Sequence, residues 1–383
     1  MTFKIKEKVE FGRLATFIPN KQLPVYNWFY FKEGFSKELV FKLVDMFNLK
    51  GGDWLLDPFC GCGTTNLACK QLGINSIGFD TLPVSIFVSK VKTTDYEISQ
   101  LKKSVKEFLK IKFRKPYINV SNNVKCAFSR FVLEDIIIFK DEIMKIKDND
   151  TRNFLLLGLM NSAMKCSYAF KDGSIIKLKT KSVPPLRDML RRQLYKMIHD
   201  LEHFETKPCS AIIDYCDARK LKLDDNSVDA IITSPPYLNK IEYTRIYEIE
   251  QELFLPKEKT TGIRSFIGLR EKNLEKDFSE IDIFFDSPDN TPLTAKAYIE
   301  DMLQVIKEMY RVCKPGTRVA IVVGNACFPT GVVDVDIILS NIAEKIGFHA
   351  SQILVLNKRV CTTPSRRKVG IMRESLLMWE KQI

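Results

Sequence analysis

Apolar residues recur at helical spacing through residues 36–49 (SKELVFKLVDMFNL), behind a serine suited to capping a helix N-terminus, and Lys50-Gly51-Gly52 follows as a stop. The period then changes. Trp54-Leu55-Leu56 predicts a short strand ending in Asp57-Pro58, followed by the loop Phe59-Cys60-Gly61-Cys62-Gly63-Thr64-Thr65 and a helix to about Leu72. A second strand, Ser76-Ile77-Gly78-Phe79, ends in Asp80. Strand, glycine loop, helix, strand and acid, in that order, make the first half of a nucleotide-binding α/β fold.

Residues 98–205 break this rhythm with amphipathic helical patterns and lysine-rich stretches such as 110–115 and 177–181, and predict a mainly helical insertion. β-prone runs resume at Ala211-Ile212-Ile213 and at 228–232, the second leading straight into Thr233-Ser234-Pro235-Pro236-Tyr237. Residues 256–296 are polar, charged and aperiodic, and read as a long surface segment or mobile flap. A helix over about 296–312, Lys314-Pro315-Gly316, strands at 318–323, 352–356 and 375–379, and a helix at about 334–346 complete the pattern. The organisation expected is a core in two parts, 1–97 and 206–383, with the insertion 98–205 between them.

Composition adds a sign. Fifty-nine Lys and Arg against 47 Asp and Glu give a formal charge of +12 over 383 residues, which favours a polyanionic partner through phosphate neutralisation. The ten cysteines lack the paired spacing of a zinc site or a small disulfide scaffold and read as reduced cytosolic thiols, with Cys60 and Cys62 as small residues that fit a tight loop. Three histidines, at 199, 203 and 349, are too few and badly spaced for a metal site, so no metal is expected. No apolar segment follows Met1 and no run approaches the ~20 apolar residues that span a bilayer, so a soluble, cytoplasmic protein without a membrane partner is expected.

Two stretches carry chemistry. Gly61 and Gly63 allow the backbone to approach a ligand closely, and the helix that follows offers unpaired N–H groups to a carboxylate or phosphate. Asp80 lies 19 residues after Gly61, near the offset at which an acid accepts hydrogen bonds from ribose hydroxyls. In Thr233–Tyr237 the two prolines stiffen the backbone and lack N–H donors, so carbonyls are left free to accept, an arrangement suited to an amine. The lone pair of an exocyclic amine on a nucleobase is delocalised into the ring, and accepting hydrogen bonds from its N–H protons localises that pair on nitrogen. The Ser234 hydroxyl and the Pro235 carbonyl can do so, while Tyr237 offers an aromatic face to a base pulled out of the helix.

Asp57-Pro-Phe-Cys-Gly-Cys-Gly-Thr-Thr65 resembles the D-P-F-x-G-x-G-T-T motif, and Thr233–Tyr237 the S-P-P-Y motif, of bacterial amino-methylating DNA methyltransferases. Phe31 to Leu49 is similar to that family's N-terminal helix motif, Gly78-Phe-Asp80 to its ribose-binding acid, and Tyr215–Arg219 to the loop that contacts adenine. Lys314–Gly316 and Glu374–Trp379 resemble later core motifs, the second taken as the edge strand. The resemblance implies a Rossmann-like class I S-adenosylmethionine-dependent methyltransferase, with a seven-stranded mixed sheet containing one antiparallel strand. It implies cofactor contacts at Asp57, Phe59, Gly61, Gly63, Thr64, Asp80, Asp217 and Ala218, and a target base held at Ser234, Pro235, Pro236 and Tyr237.

In that family the methyl passes in line from sulfonium to nitrogen, with no covalent enzyme intermediate. Pro208-Cys209, the one Pro-Cys pair, precedes a different strand and is expected to be structural. Serine at the first motif position points to cytosine N4, whereas aspartate there points to adenine N6. The resemblance thus implies methylation of duplex double-stranded DNA at a short specific site, with a cognate restriction endonuclease as partner, though not in a stable complex. Clusters at 177–181, Arg187 to Arg192 and 366–368 are candidate phosphate contacts. RNA guanine-N2 methylation would call for an N-terminal RNA-binding domain, for which the roughly 50 residues before Asp57 are short, and a non-catalytic DNA-binding subunit would show degraded motifs.

Overall fold

In the computed structural model, which describes residues 3–172, 175–238, 243–255, 278–362 and 368–382, the chain opens with β1 (Lys4–Glu7), α1 (Lys37–Phe47), β2 (Trp54–Asp57), α2 (Thr64–Leu72), β3 (Asn75–Asp80) and α3 (Pro83–Thr93). Next come α4 (Ile98–Phe108), α5 (Asn122–Ala127), α6 (Arg130–Ile143), α7 (Asn149–Lys165), the hairpin β4 (Ala169–Asp172) and β5 (Ile175–Leu178), and α8 (Leu186–Glu202). After β6 (Ala211–Tyr215) and β7 (Val228–Thr233) lie the short helices α9 (Tyr243–Ile246), α10 (Glu248–Phe254) and α11 (Ser279–Asp282), then α12 (Leu293–Val312). The C-terminal part is β8 (Cys313–Gly324), β9 (Ala326–Phe328), β10 (Gly331–Val333), α13 (Val335–Ile346), β11 (Phe348–Thr362) and β12 (Lys368–Lys381).

Among the described residues the main sheet has eight strands in the order β1-β11-β12-β8-β7-β2-β3-β6, and only β12 runs antiparallel to its neighbours. Successive strand residues alternate between the faces. Leu55, Ala230, Ile232, Ala320 and Val322 pack with α1 and α2, while Leu56, Ile231, Val319 and Ile321 pack with α12 and α13. Apolar residues on both faces explain the unbroken runs in these strands. A third cluster, centred on α3 to α8 and α10, covers one end.

This Rossmann-like sheet departs from expectation in places. It has an eighth strand, because β1 (KIKE) pairs with β11 through its backbone while all four residues stay exposed, leaving no apolar signal to read. Glu374–Trp379 is not an edge: β12 lies between β11 and β8, and its Leu376 to Trp379 are buried from both sides. Helix α1 does begin behind a Ser36 cap that accepts from Leu39 N at 3.3 Å, but its stop is Asn48 in a left-handed conformation (φ 55°), ahead of the glycine pair. Cys327 and Cys361 are joined as a disulfide linking β9 to β11 (Cα–Cα 6.2 Å), so the expectation of ten reduced thiols is corrected for these two. Their proximity comes from the sheet and from no spacing in the chain. Residues 256–277 of the expected flap lie outside the described residues, while α11 and the start of α12 fall within its remainder.

The order reverses between β2 and β7. From β2 the chain proceeds outward to β3 and β6, and from β7 in the other direction to β8. Open α/β sheets bind ligands at the carboxyl ends of strands at such a point. Asp57 ends β2 and Thr233 ends β7.

Candidate active site

The glycine loop after β2 is held from several sides. Gly61 and Gly63 have φ of 51° and 76°, in the left-handed region that favours glycine. The Gly61 N–H donates to Asp80 Oδ2 at 2.9 Å, and its carbonyl accepts from Ser89 Oγ at 2.9 Å. A Cβ on Gly61 would stand 2.9 Å from the Phe31 ring. The buried Lys92 ammonium donates to the Cys62 carbonyl at 3.3 Å and to that of Tyr26 at 3.1 Å, and burial pushes its pKa down. Ser89 and Lys92 lie on α3 and were missed in the sequence, where nothing distinguishes them from other polar residues on a helix.

Asp57 joins the two motifs. Its side chain is 2% exposed, and it accepts from Thr233 Oγ1 (2.6 Å), Phe59 N (3.2 Å) and Thr65 Oγ1 (2.6 Å). Burial raises its carboxyl to about 6, with the two threonine hydroxyls opposing the rise. Asp80 accepts from Leu82 N at 2.8 Å as well as from Gly61, and burial raises it, too, to about 6.

A cleft crosses the strand ends. It brings together Asp57, Phe59, Gly61, Thr64, Asp80, Asp217, Ala218, Ser234 and Pro236. Gly63, Pro235 and Tyr237 are not on its wall. Gly63 caps α2 beneath the loop, where a Cβ would meet Ser89 Oγ at 2.8 Å. Pro235 is buried, and Tyr237 is half-buried against the α1 side of the sheet, its hydroxyl donating to Glu374 Oε1 at 3.2 Å. Asp217 is gripped by Arg219, with Nη2 to Oδ2 at 2.6 Å and Nε to Oδ1 at 3.0 Å; burial would raise its carboxyl, but these bonds hold it below the usual range. The Ser234 hydroxyl donates to the Val322 carbonyl at 3.0 Å.

The donor set suits a nucleoside-bearing ligand. Ser85 is 2% exposed on the cleft wall beside the Asp80 carboxylate, toward which its hydroxyl is directed. Asp80 and Ser85 can meet ribose hydroxyls, Phe59, Leu82 and Ala218 offer apolar surface to a ring, and the glycine loop leaves room for backbone contact.

A family model described as DNA methylase, of the N6/N4 methyltransferase type, matches residues 9–89 and 228–382, more than half of the chain. The chain belongs to this DNA methylase family. Type II methyltransferase M.BsoBI of Geobacillus stearothermophilus is 28% identical over 456 residues, covering 98% of this chain and 90% of that protein. Type II methyltransferase M.AvaI of Nostoc sp. is 28% identical over 414 residues, covering 90% and 83%. Among solved structures, an S-adenosylmethionine-dependent methyltransferase of Methanosarcina mazei aligns at 9% identity and a TM-score of 0.32 over 89% of this chain and 97% of that one, a likeness too slight to argue from. A DNA methylase of this family takes its methyl group from S-adenosylmethionine, which the cleft residues fit.

The remaining candidates sort by contact. Arg187 is drawn into the fold by Asp135 (2.8 Å) and the Ile111 carbonyl (3.0 Å), and Lys177 pairs with Asp172, while Arg191 and Arg192 are exposed on α8. Arg366 and Arg367 lie outside the described residues. Burial pushes the Cys209 thiol up, the reverse of what a nucleophile needs. His199 and His203 stack on each other at 4.3 Å, and among the described residues no cluster of three or more His, Cys, Asp or Glu could hold a metal. No described helix is long and apolar enough to cross a membrane.

Proposed function

We propose that this DNA methylase transfers the methyl group of S-adenosylmethionine to the N4 amino group of cytosine in duplex DNA, as the modification member of a restriction–modification system. The reading rests above all on the Ser234 hydroxyl. Its proton is committed to the Val322 carbonyl, so the oxygen presents lone pairs and acts as an acceptor. An amine needs such a partner to localise its lone pair. Serine at this position, by resemblance, favours cytosine over adenine.

When bound, the cofactor supplies an electrophilic methyl on a sulfonium centre. Asp80 and Ser85 orient its ribose, and Asp217 and Ala218 border its ring. Asp57 ties the acceptor loop to the glycine loop through Thr233 and Thr65, which fixes the distance between donor and acceptor without touching the reacting atoms. Positioning of this kind supplies much of the rate in a direct transfer. Segments 98–205 and 256–296 would read the bases, and the net charge of +12 suits the phosphate backbone. The Type II names of M.BsoBI and M.AvaI favour a cognate endonuclease that acts separately.

Incubating the purified protein with methyl-labelled S-adenosylmethionine and plasmid duplex, then digesting to nucleosides, tests this directly. Label in N4-methylcytosine supports the reading. Label in N6-methyladenine keeps the family and overturns the Ser234 argument, and label only with an RNA substrate, or none, overturns the DNA reading.

A further inference from the structure

Four carboxylates line the cleft: Asp80 holds the glycine loop, Asp217 is gripped by Arg219, and Asp57 and Glu33 remain. Asp57 has its oxygens engaged by Thr65, Thr233 and the Phe59 N–H. Glu33, in the segment between β1 and α1, is different. It lines the cleft beside Phe31 and Gly34 and accepts from the Tyr247 hydroxyl at 3.2 Å and from a backbone N–H of its own segment. Burial pushes its carboxyl up, opposed by the charge of Lys171. That lysine is occupied elsewhere, 2.8 Å from Glu250 and 3.5 Å above the Tyr247 ring. Glu33 is thus a half-buried carboxylate with acceptor capacity to spare, facing a ligand cleft.

The position is built. The Tyr247 ring stacks on Phe31 at 5.4 Å and 4°, and Phe31 packs on Gly61 of the glycine loop. The cofactor's course supplies the rest. Its ribose belongs at Asp80 on β3 and its ring at Asp217 and Ala218 after β6, while its sulfur must approach Ser234 after β7. Its amino-acid tail therefore leaves the sulfur on the β2–β7 side, where the glycine loop and Glu33 lie. That tail ends in an α-ammonium.

We propose that Glu33 pairs with the α-ammonium of the methionyl portion of S-adenosylmethionine. The inference rests on this cofactor and is independent of which base is methylated. The tail's cation meets a cleft carboxylate that neither ties the two loops together, as Asp57 does, nor holds the glycine loop, as Asp80 does, nor is gripped by an arginine, as Asp217 is, and Tyr247 sets its rotamer from the segment that follows the acceptor loop.

Calorimetric titration of three ligands separates the possibilities: S-adenosylhomocysteine, its deamino analogue, and 5′-methylthioadenosine, which lacks the amino-acid tail. Wild-type protein is expected to bind the deamino analogue at least tenfold more weakly than S-adenosylhomocysteine. Glu33→Gln is expected to lose at least tenfold for S-adenosylhomocysteine, to bind 5′-methylthioadenosine as wild type does, and to show little further loss for the deamino analogue, the coupling that marks a direct pair. Equal binding of the amino and deamino ligands by wild type overturns the proposal whether or not the variant folds. Equal weakening of all three ligands in Glu33→Gln also overturns it, because Glu33 would then act through the shape of the cleft. Failure of wild type to bind S-adenosylhomocysteine at all would instead strike at the cofactor itself.

Discussion

The Ser234 hydroxyl and the Val322 carbonyl are 3.0 Å apart, a hydrogen bond from the acceptor loop to the neighbouring strand that turns the serine into a pure acceptor toward the cleft. Ser234→Ala removes the acceptor but leaves β8 and the glycine loop untouched. Cofactor affinity is expected to stay within twofold while the single-turnover rate falls by about 10²-fold, the scale of a positioned proton acceptor. Activity near wild type would contradict the role.

Thr233→Val removes one of the two hydroxyls that satisfy the buried Asp57 carboxylate. Leaving a buried charged acceptor short of a partner costs about 1–3 kcal/mol, read from denaturant unfolding at pH 8. The sign with pH is specific. Thr233 stabilises the ionised form, so the penalty should be largest well above pH 6 and shrink as Asp57 protonates below about 6.

Cofactor affinity should depend on pH through Asp80, which burial raises to about 6. Above pH 7 the carboxylate is charged and accepts fully; through pH 6 and below it is protonated, and affinity should fall by up to tenfold per unit. Folding responds oppositely. The folded state holds these protons at about 6 where the unfolded chain releases them near 3.8, so acidification across that window adds stability from Asp57 and Asp80 while binding weakens. Calorimetric titration beside thermal melts between pH 5 and 8 checks both directions.

Gly61→Ala places a methyl 2.9 Å from the Phe31 ring at a φ of 51°. Crowding of this kind costs about 1–3 kcal/mol. The midpoint of urea unfolding should fall, and Phe31→Leu in the same chain should recover part of the loss. No recovery would place the cost in the backbone alone.

What the sequence made legible follows from where the signals sit. Asp57, Asp80 and Ser234 each end or directly follow an apolar run, so strand, loop and site residue were read together. Lys4–Glu7 carries no apolar face, and the interior place of β12 could have been inferred from the unbroken run Leu376 to Trp379. The Cys327–Cys361 link arises from long-range pairing that no local pattern reports, whereas the hairpin β4–β5 pairs segments adjacent in the chain, within a stretch read as mainly helical. Ser89 and Lys92 act through packing around the glycine loop, and as isolated polar residues in the chain they had nothing to mark them, whereas Glu33 lies within the Phe31–Leu49 stretch, whose resemblance does not single it out. Tyr237 shows the converse, a motif residue whose hydroxyl is bonded to Glu374 and whose ring lies off the cleft wall.

The most direct test of the central claim is single-molecule sequencing of genomic DNA from a methylation-free host expressing this protein, because it reports modified base and sequence context together. The account predicts one short motif carrying N4-methylcytosine, lost in the Ser234→Ala strain. Unmodified DNA from cells containing soluble protein would contradict it.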